Sequence, residues 1–82
     1  MTQKEYTMSF SNYNEILSNR EQQIAQKILE GLPNKLIASE LFISERTVKF
    51  HCHNIYKKLS IRNRHALVAG YYQHMAINRW TM

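Results

Sequence analysis

The stretch SERTVKFHCHNIYKKL, residues 44–59, decides the fold of this chain. Ser44 is a good helix N-cap, because its hydroxyl can accept a hydrogen bond from a free backbone N–H in the first turn. Glu45 follows at a position where the helix dipole favours an anion. Successive residues turn by about 100°, so one side of this helix collects the apolar side chains of Val48, Cys52, Ile55 and Leu59. The stretch therefore predicts an amphipathic helix with one face packed on a core.

The opposite side of the same helix is basic and aromatic. It carries three cations, an imidazole and a phenyl ring, at Arg46, Lys49, Phe50, His53 and Lys57. Such a face is costly to bury and well suited to a polyanion. The residues at its border are Thr47, Asn54 and Lys58, with His51 nearer the core. We interpret this segment as a DNA-recognition helix whose basic face enters the major groove while the border contacts phosphates.

Composition agrees with this interpretation. The 82 residues suffice for one small domain, and 11 Lys and Arg against 6 Asp and Glu give a net charge of +5. This balance favours nucleic acid as the partner, and a basic surface without such a partner is the alternative. The one cysteine, Cys52, cannot form an intramolecular disulfide, which fits a reducing cytoplasm. The polar N-terminus and the short apolar runs predict neither a signal peptide nor a membrane partner.

Three further helices are expected around the recognition helix. Ser18 and Glu21 form a capping box that begins the first of them, and Gly31 ends it as a left-handed residue. The second runs from Pro33, in its first turn, to about Phe42. Only two residues separate it from the recognition helix, and two helices joined by so short a turn form a helix-turn-helix.

The last helix is predicted over residues 64–76. Its apolar arc is wider than the stripe of about 100° that a small core needs. The arc consists of Leu67, Val68, Tyr71, Tyr72, Met75 and Ala76. All but Ala76 are predicted dimerisation residues. The alternative is that this face is covered by the N-terminal arm or by the tail, residues 77–82.

Residues 1–16 are predicted to form an arm, and residues 17–82 the domain. Tyr6, Met8 and Phe10 alternate with polar residues, which is a weak strand signal. Two interpretations stay open. The arm either lays its aromatic side chains on the domain, in an extended or partly helical form, or docks a partner.

From residue 17 to about residue 75, the chain resembles the LuxR/GerE-type helix-turn-helix. The most specific part is Thr-Val-Lys-x-His-x-x-Asn-Ile-x-x-Lys-Leu, at residues 47–59. The resemblance implies an all-α, four-helix DNA-binding domain that dimerises through its last helix and regulates transcription. It also implies a bacterial, cytoplasmic, nucleoid-associated protein. Its expected partners are double-stranded DNA and a second copy, with RNA polymerase or another LuxR-type regulator as further candidates.

The resemblance also assigns roles to individual residues. Lys49, Phe50 and His53 match the family's base-reading positions. The positions that touch phosphate or brace the helix correspond to Thr47, His51, Asn54 and Lys58. Arg46, Lys57 and Lys35, which belongs to the matching Asn-Lys pair, complete the predicted DNA-binding set. The chain resembles the stand-alone GerE kind, so neither a receiver domain nor a ligand-binding domain is expected.

Two departures from the family pattern stand out. Pro33 and Leu36 occupy the positions where the family's second helix has a Ser or Thr cap and a Glu, so the sequence offers neither half of that capping box. Phe50 is larger than the usual residue at its position. It suits a thymine methyl edge or a protein contact.

Other classes fit less well. A sigma-factor region 4 resembles this architecture, but its recognition helix continues with an arginine-rich stretch. An antagonist that pairs with a larger LuxR-type regulator is the main alternative function. No carboxylate pair, nucleophile with a base, or phosphate-binding glycine loop is visible, so no catalytic residue or cofactor is predicted. Because neighbours on a helix diverge by about 100°, His51, Cys52 and His53 cannot converge on one metal ion.

Overall fold

The computed structural model of the protein describes residues 13–81, with the side chains of residues 13–76. This part of the chain forms five helices and no strand, so the predicted all-α fold is confirmed. The helices are α1 (Tyr13–Ile16), α2 (Asn19–Leu29), α3 (Asn34–Leu41), α4 (Glu45–Lys58) and α5 (Arg64–Thr81). None of the described helices combines the length and apolar character that a membrane crossing requires.

The core lies between α4 and the helices that pack on it, chiefly α2 and α3. The predicted inner stripe of α4 is fully included in this core. The buried apolar residues are Leu17, Ile24, Ala25, Ile28, Ile37, Ala38, Val48, Cys52, Ile55, Leu59 and Leu67. Burial of this stripe fixes which side of α4 faces outward.

Both predicted ends of α2 are confirmed. The Ser18 backbone N–H donates to Glu21 Oε1 at 2.9 Å, and the Glu21 N–H donates to Ser18 Oγ at 3.1 Å. These two bonds form the capping box and satisfy two backbone donors that the helix leaves free. After the helix, Gly31 has a φ of 91°, a left-handed conformation that glycine adopts without a Cβ clash.

The start of α3 differs from the prediction. Pro33 is the N-cap, one residue before the first turn, because its ψ of 161° is extended and not helical. Its carbonyl accepts hydrogen bonds from Leu36 and Ile37, each at 3.0 Å. A proline side chain offers no acceptor, so this helix begins without a side-chain cap.

The last helix is longer than predicted. It continues to Thr81 instead of ending at Ala76, since residues 77–81 contain no glycine or proline to stop it. Residues that extend a helix cannot fold back over its own upstream face, so the alternative in which the tail covers this face is wrong for residues 77–81.

Part of that face is covered by α1. The rings of Tyr13 and Tyr71 lie 5.8 Å apart between centroids. Burial, and to a smaller extent Tyr71, raises the pKa of Tyr13 to about 12. Gln22 holds α1 in place through Nε2, which donates to the Asn14 carbonyl at 2.9 Å. The last four residues of the predicted arm thus pack on the domain, whereas Tyr6, Met8 and Phe10 lie outside the described residues.

An ion pair joins α2 to the end of α4. Lys58 Nζ lies 2.8 Å from Glu21 Oε1, and the Glu21 side chain is buried. Burial alone raises the pKa of Glu21, but hydrogen bonds from Lys58 and Ser18 to the ionised carboxylate outweigh it, so the pKa is lowered. This capping residue therefore also anchors the far end of α4.

Replacing Glu21 with glutamine should lower the free energy of unfolding by about 1–2 kcal/mol at pH 7, because Lys58 loses an anionic partner while staying partly hydrated. The folded pKa lies below the ordinary value of 4.5. The contribution is therefore fully present above that value and is lost as the pH falls through the folded pKa. Urea unfolding of both proteins from pH 7 down to about pH 2 measures the difference.

The matched control is Glu40→Gln, which breaks the more exposed Lys27–Glu40 pair of 2.7 Å. It should change the free energy of unfolding by less than about 1 kcal/mol. A Glu21→Gln effect of the same size at every pH would contradict the assigned ionic contribution.

Candidate nucleic-acid interface

The N-terminus of α4 is capped as the sequence predicts. Ser44 Oγ accepts a hydrogen bond from the Thr47 backbone N–H at 3.0 Å and lies 2.8 Å from Thr47 Oγ1. Glu45 stands in the first turn, and Lys57 and Lys58 stand in the last. Both placements suit the helix dipole. The cap therefore fixes where the helix starts and, with it, which side chains share a face.

The predicted basic face of α4 is at the surface. All five of its side chains are exposed, namely Arg46, Lys49, Phe50, His53 and Lys57. No ion pair within residues 13–76 involves its Arg or Lys residues. Phe50 is 62% exposed, and its ring makes an edge contact with His51 at 5.7 Å between centroids. The face thus presents unpaired positive charge and one aromatic ring.

The border residues have different positions. Thr47, His51 and Asn54 are half-buried along the edge of α4. Lys58 is directed to Glu21 on α2, which makes it a brace of the helix. Lys35 is exposed in the first turn of α3, outside the α4 face.

The turn before α4 contains a conformation that the sequence did not reveal. Phe42 ends α3 with a φ of 58° and is 94% exposed. Left-handed backbone is costly for a residue with a bulky side chain. Ser60, just beyond α4, has a φ of 59°. A left-handed residue is a common way to end a helix, so the very short link between the two predicted helices is the sequence feature that could have indicated it.

Arg64 is a second feature that sequence reasoning missed, apart from its place in the family match. As the first residue of α5, it donates from Nη1 to Asn34 Oδ1 at 3.2 Å and from Nη2 to the Leu32 carbonyl. Cys52 Sγ on α4 lies 3.9 Å from the same Asn34 oxygen. Arg64 thus connects α5 to the turn that leads into α3.

Comparison with known proteins agrees with this geometry. The family described as "Bacterial regulatory proteins, luxR family" matches residues 15–70, more than half of the chain. The chain belongs to the LuxR family. This family consists of regulators and is not an enzyme class.

Individual LuxR-family relatives are similar over the same region. The response regulator protein TmoT of Ectopseudomonas mendocina is 52% identical over 54 residues, 66% of this chain and 24% of its own length. A probable csgAB operon transcriptional regulatory protein of Salmonella typhimurium is 47% identical over 49 residues, which are 60% of this chain and 23% of that protein. The chain therefore spans about a quarter of the length of these curated relatives.

A low-resolution structure of the response regulator StyR shows the same fold. It superposes with a TM-score of 0.73 at 40% sequence identity, over 88% of this chain and 36% of that one. The predicted LuxR/GerE-type helix-turn-helix is thereby confirmed.

The predicted dimerisation residues of this LuxR-family chain differ in how far they are exposed to solvent. Leu67 is 0% exposed and belongs to the core, so its place in the predicted contact set is wrong. A side chain without exposed surface cannot contact a second chain. Val68 and Tyr71 are half-buried, whereas Tyr72 is 54% and Met75 is 42% exposed. The Tyr72 hydroxyl donates to the Leu29 carbonyl at 3.3 Å, which holds the ring at the surface.

Cys52 and its two histidine neighbours point in different directions, as the helical period requires. Cys52 is buried, His51 is half-buried and His53 is exposed. Burial raises the pKa of the Cys52 thiol, which fits a small apolar core residue. Within the described residues, no cluster of three His, Cys, Asp or Glu side chains is suited to a metal ion.

Replacing Phe42 with glycine should raise the free energy of unfolding by up to about 1 kcal/mol, because glycine adopts a left-handed backbone without strain. Phe50→Gly is the matched control. It removes another exposed phenyl ring, but from helical backbone, and should lower the free energy of unfolding by about 0.5 kcal/mol. Urea unfolding at pH 7 compares the two, and destabilisation by both would show that Phe42 is unstrained.

Proposed function

We propose that this LuxR-family chain is a sequence-specific, double-stranded DNA-binding transcriptional regulator. The observation that carries the proposal is the exposed side of α4, where three cations stand without an ion-pair partner in residues 13–76. A helix fits the major groove of B-DNA, and cations on its outer face replace the counterions of the phosphates. The helix is held from behind by its buried stripe, so it can enter the groove as a rigid element.

Within this proposal, residues have separate roles. Lys49, Phe50 and His53 contact base edges in the groove, since they are exposed on the middle of the helix. Phosphate contacts are assigned to cations nearer its ends and on α3, namely Arg46, Lys57 and Lys35, with the border residues Thr47, His51 and Asn54. Lys58 serves mainly as the brace to Glu21.

The regulator is proposed to act as a homodimer through α5. Tyr72 and Met75 are exposed apolar residues on this helix, with Val68 and Tyr71 half-buried beside them. Each chain contributes one recognition helix, so two copies place two helices in successive major grooves. The half-sites would then lie about 10 bp apart in an inverted repeat.

Selection of bound duplexes from a random pool tests this function directly. We expect an enriched inverted repeat. Lys49→Ala should weaken binding to that repeat by about 1–3 kcal/mol and relax the preference at one base pair. Lys27→Ala makes the same charge change on α2 and should leave the affinity and the preference unchanged. If no duplex is enriched at low ionic strength, the regulator proposed here is wrong, and pairing with another LuxR-type protein becomes the function to test.

Phe50 gives this proposal a base-specific test. An exposed aromatic ring on a recognition helix suits the C5-methyl group of thymine, which uracil lacks. Replacing the contacted thymine of the selected duplex with deoxyuridine should weaken binding about fourfold, the value of one buried methyl group. Binding is measured by fluorescence anisotropy.

The Phe50→Ala variant should bind both duplexes equally. Phe42→Gly removes an exposed phenyl ring outside α4 and should keep the full discrimination. A wild-type protein that treats thymine and uracil alike at every position would rule out this role for Phe50.

A further inference from the structure

One polar cluster joins α5 to the helix-turn-helix. Asn63 caps α5, with its Oδ1 accepting from the Ala66 N–H at 2.9 Å. The next residue, Arg64, extends its guanidinium back to Asn34 and to the Leu32 carbonyl. Both acceptors lie about thirty positions earlier in the chain, at the entry to α3. The first turn of α5 is therefore tied to a segment that is distant in sequence.

The cluster also touches α4. Arg64 is half-buried, and the Asn34 oxygen that it binds lies 3.9 Å from Cys52 Sγ on the buried side of the recognition helix. The planar, permanently charged guanidinium of Arg64 thus binds the α2–α3 turn and the first residue of α3. Through the Asn34 oxygen it also lies close to α4.

The hydrogen bonds of Arg64 constrain α5 differently from the apolar contact of Leu67. Leu67 anchors α5 in the core, but apolar burial is non-directional and does not by itself fix the angle of a helix. Hydrogen bonds to two separate acceptors are directional, so they restrict the orientation of the group that makes them. Because Arg64 is the first residue of α5, restricting it restricts the direction in which the helix leaves the domain.

A small change of this direction moves the residues of the proposed dimer contact. Met75 lies 11 residues after Arg64, about 17 Å along the helix. A tilt of about 10° at Arg64 moves Met75 by about 3 Å, close to the axial rise of one base pair. In a dimer formed through α5, such a shift changes the distance between the two recognition helices.

We propose that Arg64 is a positioning residue that sets the half-site spacing this protein accepts. The inference rests on the proposed function, in which α5 forms the dimer and α4 reads DNA. Arg64 itself need not touch DNA, because it acts by fixing α5 relative to α4. Its loss should therefore change the preference among spacings and not only the affinity.

The experiment measures the dissociation constant of the full chain on the selected inverted repeat, on repeats with spacers longer by one, two and five base pairs, and on a duplex with a single half-site. For the wild type, each change should weaken binding by about tenfold or more, the effect expected when a duplex must deform to restore alignment. For Arg64→Ala, the penalty for one or two base pairs should fall to within about threefold.

Four controls separate positioning from other effects. Arg62→Ala removes the same charge from an exposed neighbour and should keep the wild-type preference. Asn34→Ala deletes one acceptor and should relax the preference partly. Arg64→Lys keeps the charge without the two-pronged donor and should resemble Arg64→Ala. Circular dichroism verifies that each variant is folded, and if Arg64→Ala is not, Arg64→Lys and Asn34→Ala carry the test.

The outcomes are distinct. If Arg64 has only a structural role, its variants will weaken binding by the same factor on every spacing, which would overturn the inference. If the wild type binds a single half-site as well as any repeat, the proposed dimer fails, and this inference fails with it. A wild-type preference for one spacing that the Arg64 variants lose supports both.

Discussion

Burial of one stripe of α4 is the constraint on which the rest of the structure depends. Val48, Ile55 and Leu59 have no exposed surface, and Cys52 has almost none. Each large aliphatic side chain removed from water stabilises the fold by about 1.5–3 kcal/mol. Because the helical period fixes the angles between side chains, burying this stripe turns the basic side outward. The inner face therefore determines the position of the outer one.

Hydrogen bonds and an ion pair fix the orientations of helices that apolar burial alone does not determine. The Lys58–Glu21 pair holds the end of α4 against α2, and Arg64 holds the start of α5 against the entry to α3. Glu21 is also half of a capping box, so one carboxylate serves both the local start of a helix and its packing on another. Glu21 therefore links the start of α2 to the end of α4.

Features set by neighbouring residues could be predicted from the sequence, and features set by distant ones could not. The α4 stripe, the capping box and the left-handed Gly31 each follow from spacing or residue type within a few positions. The burial of Leu67 and the partners of Arg64 depend on how α5 crosses the domain, which periodicity does not contain. Phe42 shows a third case, in which the geometry of a short turn overrides the ordinary preference of the residue.

The separation of the two faces of α4 has a consequence for mutational change. Lys49, Phe50 and His53 are exposed, whereas the core of this helix lies on its other side. Substitutions at such surface positions usually alter the free energy of unfolding by no more than about 0.5 kcal/mol. Single mutations can therefore vary this exposed surface one position at a time, without compensating changes in the interior. The interior acts as a constant scaffold beneath a variable surface.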